Sequence, residues 1–360
     1  MHIVFLADAP YIHTRRWLEH FVGLGHRCTV LSFRPAAIEG AEVIYVGGLE
    51  RLAKGRYLVH ARRVARLVRA LDPDLVSALH LTSYGFLAAL AGVRPLVTSV
   101  WGLDILETPR LSPFHAWITR YALARADEIT ATGLHLATAA THYAPQATPI
   151  TVVPYGVDLE RFQPAERPER DRVVIGAAAR LSKEKGVRYL VEAFARLRHG
   201  GLDVVLRLAG DGPEMANLRA LVDRLGVADA VELLGEIDHA EVPAFLHSLD
   251  IFALPSVYES FGVAAVEAAA TGLPVVASDV FGIPDVVVDG ATGLLVPPRD
   301  VAALASAIER LAGDRDLRRR LGDGGRALVR ERYDWQINAR QMELVYDRAC
   351  ERVRGGLVAP

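Results

Sequence analysis

A chain of 360 residues, 51% hydrophobic and 23% charged, carries enough apolar material for two cores of ordinary size, which excludes a disordered polypeptide. A formal net charge of -2 excludes the strongly basic balance of a nucleic-acid-binding chain. Two cysteines, Cys28 and Cys350, are too few for a disulfide framework or a structural zinc site.

The N-terminal stretch MHIVFLADAP lacks the basic region and long apolar core of a signal peptide and reads as a buried strand, His2 to Ala7. Nowhere does apolar character run for the roughly 18 residues that a membrane span needs, so the expected location is the cytoplasm. The loop Asp8 to Thr14 leads into a helix holding Arg15, Arg16, Trp17, Leu18 and Phe21, stopped at Gly23 and Gly25. Strand Cys28 to Ser32 then completes a βαβ unit. After a third strand near Val43 comes a basic segment, Glu50 to Leu71. Its Leu58, Ala61, Val64 and Val68 share one helical side, and Arg62, Arg63, Arg66 and Arg69 take the rest. Such a face either covers a sheet and is solvated, or is drawn to anionic lipid, where each cation is worth about 1 kcal/mol. Residues 1–150 hold 15 Lys/Arg against 11 Asp/Glu and the remainder 26 against 32, so the first part is mildly basic and the second acidic. Weak, salt-sensitive peripheral contact with an anionic membrane, at the inner face, is therefore one expectation for this part of the chain.

Asp72-Pro73-Asp74 has a spacing that can hold a metal. It precedes the strand Leu75 to Leu79, however, and ligands of parallel α/β sheets gather at the carboxyl ends of strands, so it reads as a turn and no metal is assigned. His80 follows that strand, and Ser83 starts the helix of Tyr84 to Ala91. The strand Val97 to Val100 ends in Trp101-Gly102-Leu103-Asp104, an aromatic, a glycine and a carboxylate suited to a hydroxyl acceptor. Further units follow: a helix from Phe114 to Ala126, strand Glu128 to Ala131, a helix from Gly133 to Tyr143 and strand Ile150 to Pro154. Composition then turns from apolar to charged between Pro154 and Arg172, as at a domain boundary.

A second α/β series opens with Val173 to Leu181. Arg180, Lys185 and Gly186 sit where this strand passes through SKEKG into the helix that runs to Arg198, forming a cationic pocket suited to phosphate. Strand Val204 to Ala209 ends in Gly210-Asp211-Gly212, too short for a dinucleotide fingerprint, and strand Val231 to Leu234 ends in Gly235-Glu236. The stretch from Ile251 reads as strand, polar loop, alanine-rich helix Val263 to Ala270, and strand Pro274 to Ala277. Glu259 lies in its loop and Glu267 in its helix. A helix start beside Gly262, with free N–H groups, favours an anionic or hydroxyl-rich ligand. Helices over Asp300 to Ala312, Leu317 to Arg332 and Ile337 to Val353 close the chain.

Taken in order, R-x4-K-G at Arg180, E-S-F-G-x4-E at Glu259 and D-G-x-x-G-L-L-V at Asp289 make the C-terminal half resemble the donor-binding segment of the retaining, nucleotide-sugar-dependent glycosyltransferases of family 4. The resemblance implies an α/β chain with the GT-B fold, two Rossmann-like α/β/α domains facing across a deep cleft. Residues 1–155 would be the acceptor-side domain, completed by helix 337–353, with a linker at 156–172 and the donor domain at 173–335. It also implies the roles. Arg180 and Lys185 would hold the donor diphosphate, and Gly235 and Glu236 the nucleobase. Glu259 would hold the sugar together with the backbone of Phe261, Gly262 and Val263, and Glu267 the ribose hydroxyls. Thr14 would approach the diphosphate from the first loop, where many relatives carry a glycine pair and this chain has Tyr11-Ile12-His13-Thr14. Where one branch of the family has a histidine, this chain has Trp101, so any titrating role falls to Asp104, His13 or His80. The expected reaction is transfer from a UDP- or GDP-sugar to a hydroxyl on a glycan or lipid-linked acceptor, with no cofactor and no metal. A nucleotide-sugar-binding protein without activity and an epimerase of the same fold are the alternatives.

Overall fold

The structure, a computed structural model, describes residues 1–47, 56–145, 148–165 and 171–355. The chain divides into two units, Met1–Tyr155 with the segment from Asn338 onward, and Gly156–Ile337.

The first unit is built on one parallel sheet. Its strands are β1 (His2–Leu6), β2 (Arg27–Ser32), β3 (Ala41–Tyr45), β4 (Leu75–Leu79), β5 (Leu96–Val100), β6 (Glu128–Ala131) and β7 (Ile150–Val152), in the order β3-β2-β1-β4-β5-β6-β7. Residues 3–6, 75–79 and 96–100 are buried throughout, as apolar strands covered by helices on both faces must be. Ile3 lies opposite Cys28 on one side and Leu75 on the other, so the order reverses between β1 and β4. Over Arg56–Leu71 the helix buries Ala61, Val64 and Val68 and leaves Arg62, Arg63, Arg66 and Arg69 exposed; Arg51 and the side chain of Leu58 lie outside the described residues. Asp72-Pro73-Asp74 is at the amino edge of the sheet, where the Asp74 carboxylate accepts the His2 N–H at 2.8 Å.

The second unit repeats the plan with β8 (Val173–Ala178), β9 (Val204–Ala209), β10 (Val231–Gly235), β11 (Ile251–Leu254), β12 (Val275–Ser278) and β13 (Gly293–Val296), again all parallel, in the order β10-β9-β8-β11-β12-β13. Its order reverses between β8 and β11. Crevices at such reversals, at the carboxyl ends, are where α/β sheets hold ligands.

The last helix, Trp335–Arg354, is anchored on the first unit by chemistry its sequence makes plain only in three dimensions. Tyr346 is fully buried, stacks on Phe21 at 4.9 Å between centroids and donates its hydroxyl to Ser77 Oγ at 2.7 Å. Arg348 and Arg352 reach the fully buried carboxylate of Glu128 at 3.3 and 3.1 Å. A buried carboxylate without such partners would destabilise the fold by about 3–5 kcal/mol, so these two arginines fix the helix in place.

Candidate active site

At the carboxyl ends of β8 to β11 the chain gathers the residues singled out above. A cavity of about 560 Å³ is lined by Arg180 from the loop after β8, Gly210 and Gly212 from the loop after β9, Glu236 after β10, and Glu267 from the helix Val263–Ala270. Its volume lies in the range of small-molecule sites. The Glu267 side chain is 13% exposed, and its carboxylate stands 3.8 Å from His239 Nε2. Sequence reading missed His239 because nothing local ties it to Glu267, 28 positions away. Gly210 and Gly212 could have been found from their place at a strand's carboxyl end.

Lys185 and Glu259 stand on the two loops at the strand-order reversal and are joined, Nζ to Oε2, at 2.7 Å. With side-chain exposures of 30% and 12%, the pair is half-shielded from water. Two further bonds hold the loops together, as the N–H groups of Val257 and Tyr258 both donate to the Glu184 carbonyl oxygen, at 2.8 and 3.1 Å. The helix Val263–Ala270 starts at Gly262, whose φ of +92° gives the turn that aims its first N–H groups outward; a Cβ there would lie 2.8 Å from Ile283 Cδ1. Phe261 is buried against the ring of Tyr333, so its side chain serves packing. Gly235 closes β10 with φ +73°, beside a register shift between Leu233 and Gly235.

In the first unit, Thr14 lies in the first turn of the helix Ile12–Gly23 with its side chain fully buried. Asp104, expected as a titrating group at the acceptor, is also fully buried. Its carboxylate accepts the backbone N–H groups of Leu81 at 2.9 Å, Gly102 at 2.8 Å and Trp101 at 3.2 Å. It therefore ties together the loops after β4 and β5. The segment it holds, Leu81–Gly85, is one turn of π-helix entered from His80 at φ +88°, so helical structure begins before Ser83, the expected start. His80 Nδ1 is 2.8 Å from Ser83 Oγ. His13 stacks on Tyr155 at 3.9 Å, and Trp101 completes an aromatic cluster with Tyr11 and Tyr155. Burial pushes the Tyr155 phenol well above its usual pKa, so it stays neutral. Among the described residues, no group of three or more His, Cys, Asp or Glu is placed to hold a metal ion, and no helix is long and apolar enough to cross a membrane.

Comparison with known proteins matches residues 158–328 to the family model "Glycosyl transferases group 1" and residues 2–133 to "Glycosyl transferase 4-like". Over 217 residues the chain is 39% identical to MMP alpha-(1->4)-mannosyltransferase of Mycolicibacterium hassiacum, covering 59% of this chain and 52% of that one. The chain thus spans about half the length of the first curated relatives it matches. A longer match, 32% over 317 residues and 80% of each chain, is to the GDP-mannose-dependent alpha-(1-6)-phosphatidylinositol monomannoside mannosyltransferase of Mycolicibacterium smegmatis. Among solved structures, Anabaena HepE in complex with UDP and glucose superposes with a TM-score of 0.80 at 23% identity, covering 96% of this chain and 99% of that one. Sucrose-phosphate synthase of Thermosynechococcus elongatus gives 0.81 at 22%, covering 97% and 98%. Both are likenesses of fold.

Proposed function

We propose, because this chain belongs to the group 1 glycosyl transferases and has their GT-B fold, that it moves a glycosyl group from a nucleoside diphosphate sugar to a hydroxyl acceptor with retention at the anomeric carbon. One observation carries the reading: a cavity at the carboxyl edge of the second sheet is lined by Arg180, Glu236 and Glu267, and the Lys185–Glu259 pair stands on loops of the same edge.

As the glycosidic bond breaks, charge grows on the leaving diphosphate. Fixed cations stabilise that transition state more than the ground state. In this reading Arg180, Lys185 and the N–H groups at Gly262 and Val263 meet that charge, while Glu259 accepts hydrogen bonds from the sugar and Glu267 from the ribose hydroxyls. Gly235 and Glu236 border the base. Asp104 acts one step back, by holding Trp101. Attack comes from the face the diphosphate leaves, and the leaving phosphate takes the acceptor's proton. The donor is a UDP- or GDP-sugar. GDP-mannose is the first to try, since two of the similar proteins are mannosyltransferases and one is GDP-mannose-dependent.

The proposed acceptor is a hydroxyl of a glycan or a lipid-linked intermediate, reached during weak, reversible contact of the first unit with an anionic membrane through Arg62, Arg63, Arg66 and Arg69. The M. smegmatis relative, whose name gives a phosphatidylinositol monomannoside as its acceptor, supports a lipid class. Cytoplasmic residence suits Cys28 and Cys350, both buried and unpaired.

The deciding assay incubates the protein with UDP-, GDP- and ADP-sugars and an acceptor panel in EDTA, measuring nucleoside diphosphate release and the anomeric configuration of the product. Release with retained configuration is expected from one donor series. Activity lost in EDTA and restored in proportion to added Mn²⁺ or Mg²⁺ would contradict the roles given to Arg180 and Lys185, and epimerised donor without release would point to the alternative chemistry.

The two glutamates separate in binding. Glu267→Gln is expected to weaken nucleoside diphosphate binding roughly tenfold, the effect of one charged hydrogen-bond partner. Glu259→Gln should not weaken it, because Glu259 occupies Lys185 when no sugar is present; its loss should instead depress transfer. Calorimetry with the bare nucleoside diphosphate checks this, and equal loss in both variants would show that one of them is misplaced.

A further inference from the structure

The helix Pro113–Arg125 buries Ile118, Thr119, Ala122 and Leu123 against the first unit. Its opposite face should then be polar, as on a surface helix. Instead Phe114 is 41% and Trp117 48% exposed, with Leu111 at 69% and Leu103 at 50% just before them. Single exposed apolar side chains are ordinary, but here four large ones fall between positions 103 and 117, on short elements that pack against one another. Within the chain, Phe114 stacks on Trp117 at 5.9 Å, and Trp117 packs edge-on against Phe86 and tilted against Tyr121.

The charges around the patch have one dominant sign. Arg110, Arg120 and Arg125 are exposed between positions 101 and 125, and Glu107 is the single exposed anion there. Arg125 lies over the Tyr121 ring at 5.0 Å and Arg120 over Tyr143 at 5.3 Å, which holds both cations beside the aromatic face. Tryptophan, phenylalanine and leucine rimmed by arginine match the interfacial layer of an anionic bilayer, where rings enter the acyl boundary and guanidinium groups stay with phosphate. Leu103, the first residue of the short helix Leu103–Leu106, also belongs to the stretch Trp101–Asp104 that the sequence suits to a hydroxyl acceptor.

We infer that this face, Leu103, Leu111, Phe114 and Trp117 with Arg110, Arg120 and Arg125, is the surface by which the protein docks on an anionic lipid bilayer, inserting its rings. The inference rests on the proposed lipid-linked acceptor, but its test does not depend on transfer. It differs from the arginine helix Arg56–Leu71, whose exposed Arg62, Arg63, Arg66 and Arg69 supply attraction that salt screens.

The test is flotation of the full chain with vesicles of phosphatidylcholine alone and with one-third phosphatidylglycerol, at low salt and at about 0.5 M, where the Debye length falls to roughly 4 Å. Fluorescence is followed in parallel with lipids brominated on the acyl chain. Binding to the anionic vesicles is expected to persist in part at high salt, with Trp117 quenched by the bromolipid. Leu111→Ser, at a side chain 69% exposed, should leave the melting temperature unchanged, Phe114→Ser and Trp117→Ser should lower it only through their ring contacts, and each should lower partitioning roughly tenfold. Gln at Arg62, Arg63, Arg66 and Arg69 should leave the salt-resistant part intact. The inference is overturned by absence of binding, by serine variants that bind like the parent, by binding wholly lost at high salt, or by a dimer in solution that Trp117→Ser dissolves. Transfer to a water-soluble acceptor by the serine variants, at the parent's rate, would show that the transferase reading stands whatever the vesicles do.

Discussion

Lys185→Ala and Arg180→Ala are each expected to lower kcat/KM roughly 10²- to 10³-fold, about 3–4 kcal/mol, with little change in melting temperature for Arg180→Ala. The effect is large because both cations would stand where the leaving diphosphate gathers charge, and a preorganised donor there acts without reorganising water. For Arg180→Ala it should not be a folding effect, since Arg180 is exposed, and Lys185, 30% exposed, touches stability only through the carboxylate it pairs. The ion pair supplies an internal check. Lys185 and Glu259 are 2.7 Å apart, so Lys185→Ala also strands a carboxylate that is 12% exposed. Lys185→Ala combined with Glu259→Gln should therefore lose less than the two separate losses added together, because residues in direct contact do not behave independently. Turnover within tenfold of the parent in both single variants, at saturating donor, would remove the diphosphate assignment.

Gly186→Ala is expected to be nearly as damaging by a different route. Gly186 has φ +63°, and a Cβ built on it would lie 2.1 Å from the carbonyl oxygen of Pro255, a backbone atom with no freedom to step aside. Alanine in that backbone region costs about 1 kcal/mol by itself. Relieving the overlap must also push the Ser182–Gly186 turn away from the loop that holds Glu259. The sum expected is about 2–4 kcal/mol of stability, together with at least tenfold lower turnover in the fraction that remains folded. Gly226→Ala is the control. Its φ is +66°, yet nothing lies within 4 Å of the added carbon, so it should show the strain without the loss of activity. Thermal unfolding and turnover measured side by side would decide the matter, and indistinguishable behaviour of the two variants would mean that the close approach at Pro255 is unimportant.

Much of the fold was legible from local pattern. β4, β9 and β11 and the helix Val263–Ala270 begin and end at the expected residues because each is a short apolar run bounded by turn formers. Gathering Arg180 and Lys185 with Glu259 and Glu267 in one region was legible too, since strand ends in a parallel sheet converge on one edge. The features that escaped depend on partners distant in sequence. The carboxylate of Asp104 looks available at the end of β5, but its acceptor capacity is spent on backbone N–H groups from two loops, one of them 23 positions away. The same long-range bond is made to the first residue of the π-turn Leu81–Gly85, which no periodicity announces. The helix Pro113–Arg125 reads as an ordinary helix, and only three-dimensional packing reveals that two of its aromatic rings are left outside.

The Lys185–Glu259 contact also bears on which molecules can stay in the site. Inorganic phosphate, pyrophosphate or a spent nucleoside diphosphate could attract Lys185 but would offer Glu259 nothing in return, and separating the two would leave a shielded carboxylate uncompensated. An intact sugar donor brings both a diphosphate for the ammonium and hydroxyl groups for the carboxylate, so it alone can replace the pair on both sides. In the proposed reading, once the sugar has left, re-forming the ion pair would compete with the spent nucleotide for the same lysine. The contact would thus act as a tethered competitor, sparing the protein from occupation by the abundant anions of the cell and hastening the clearance of its own by-product after each turnover.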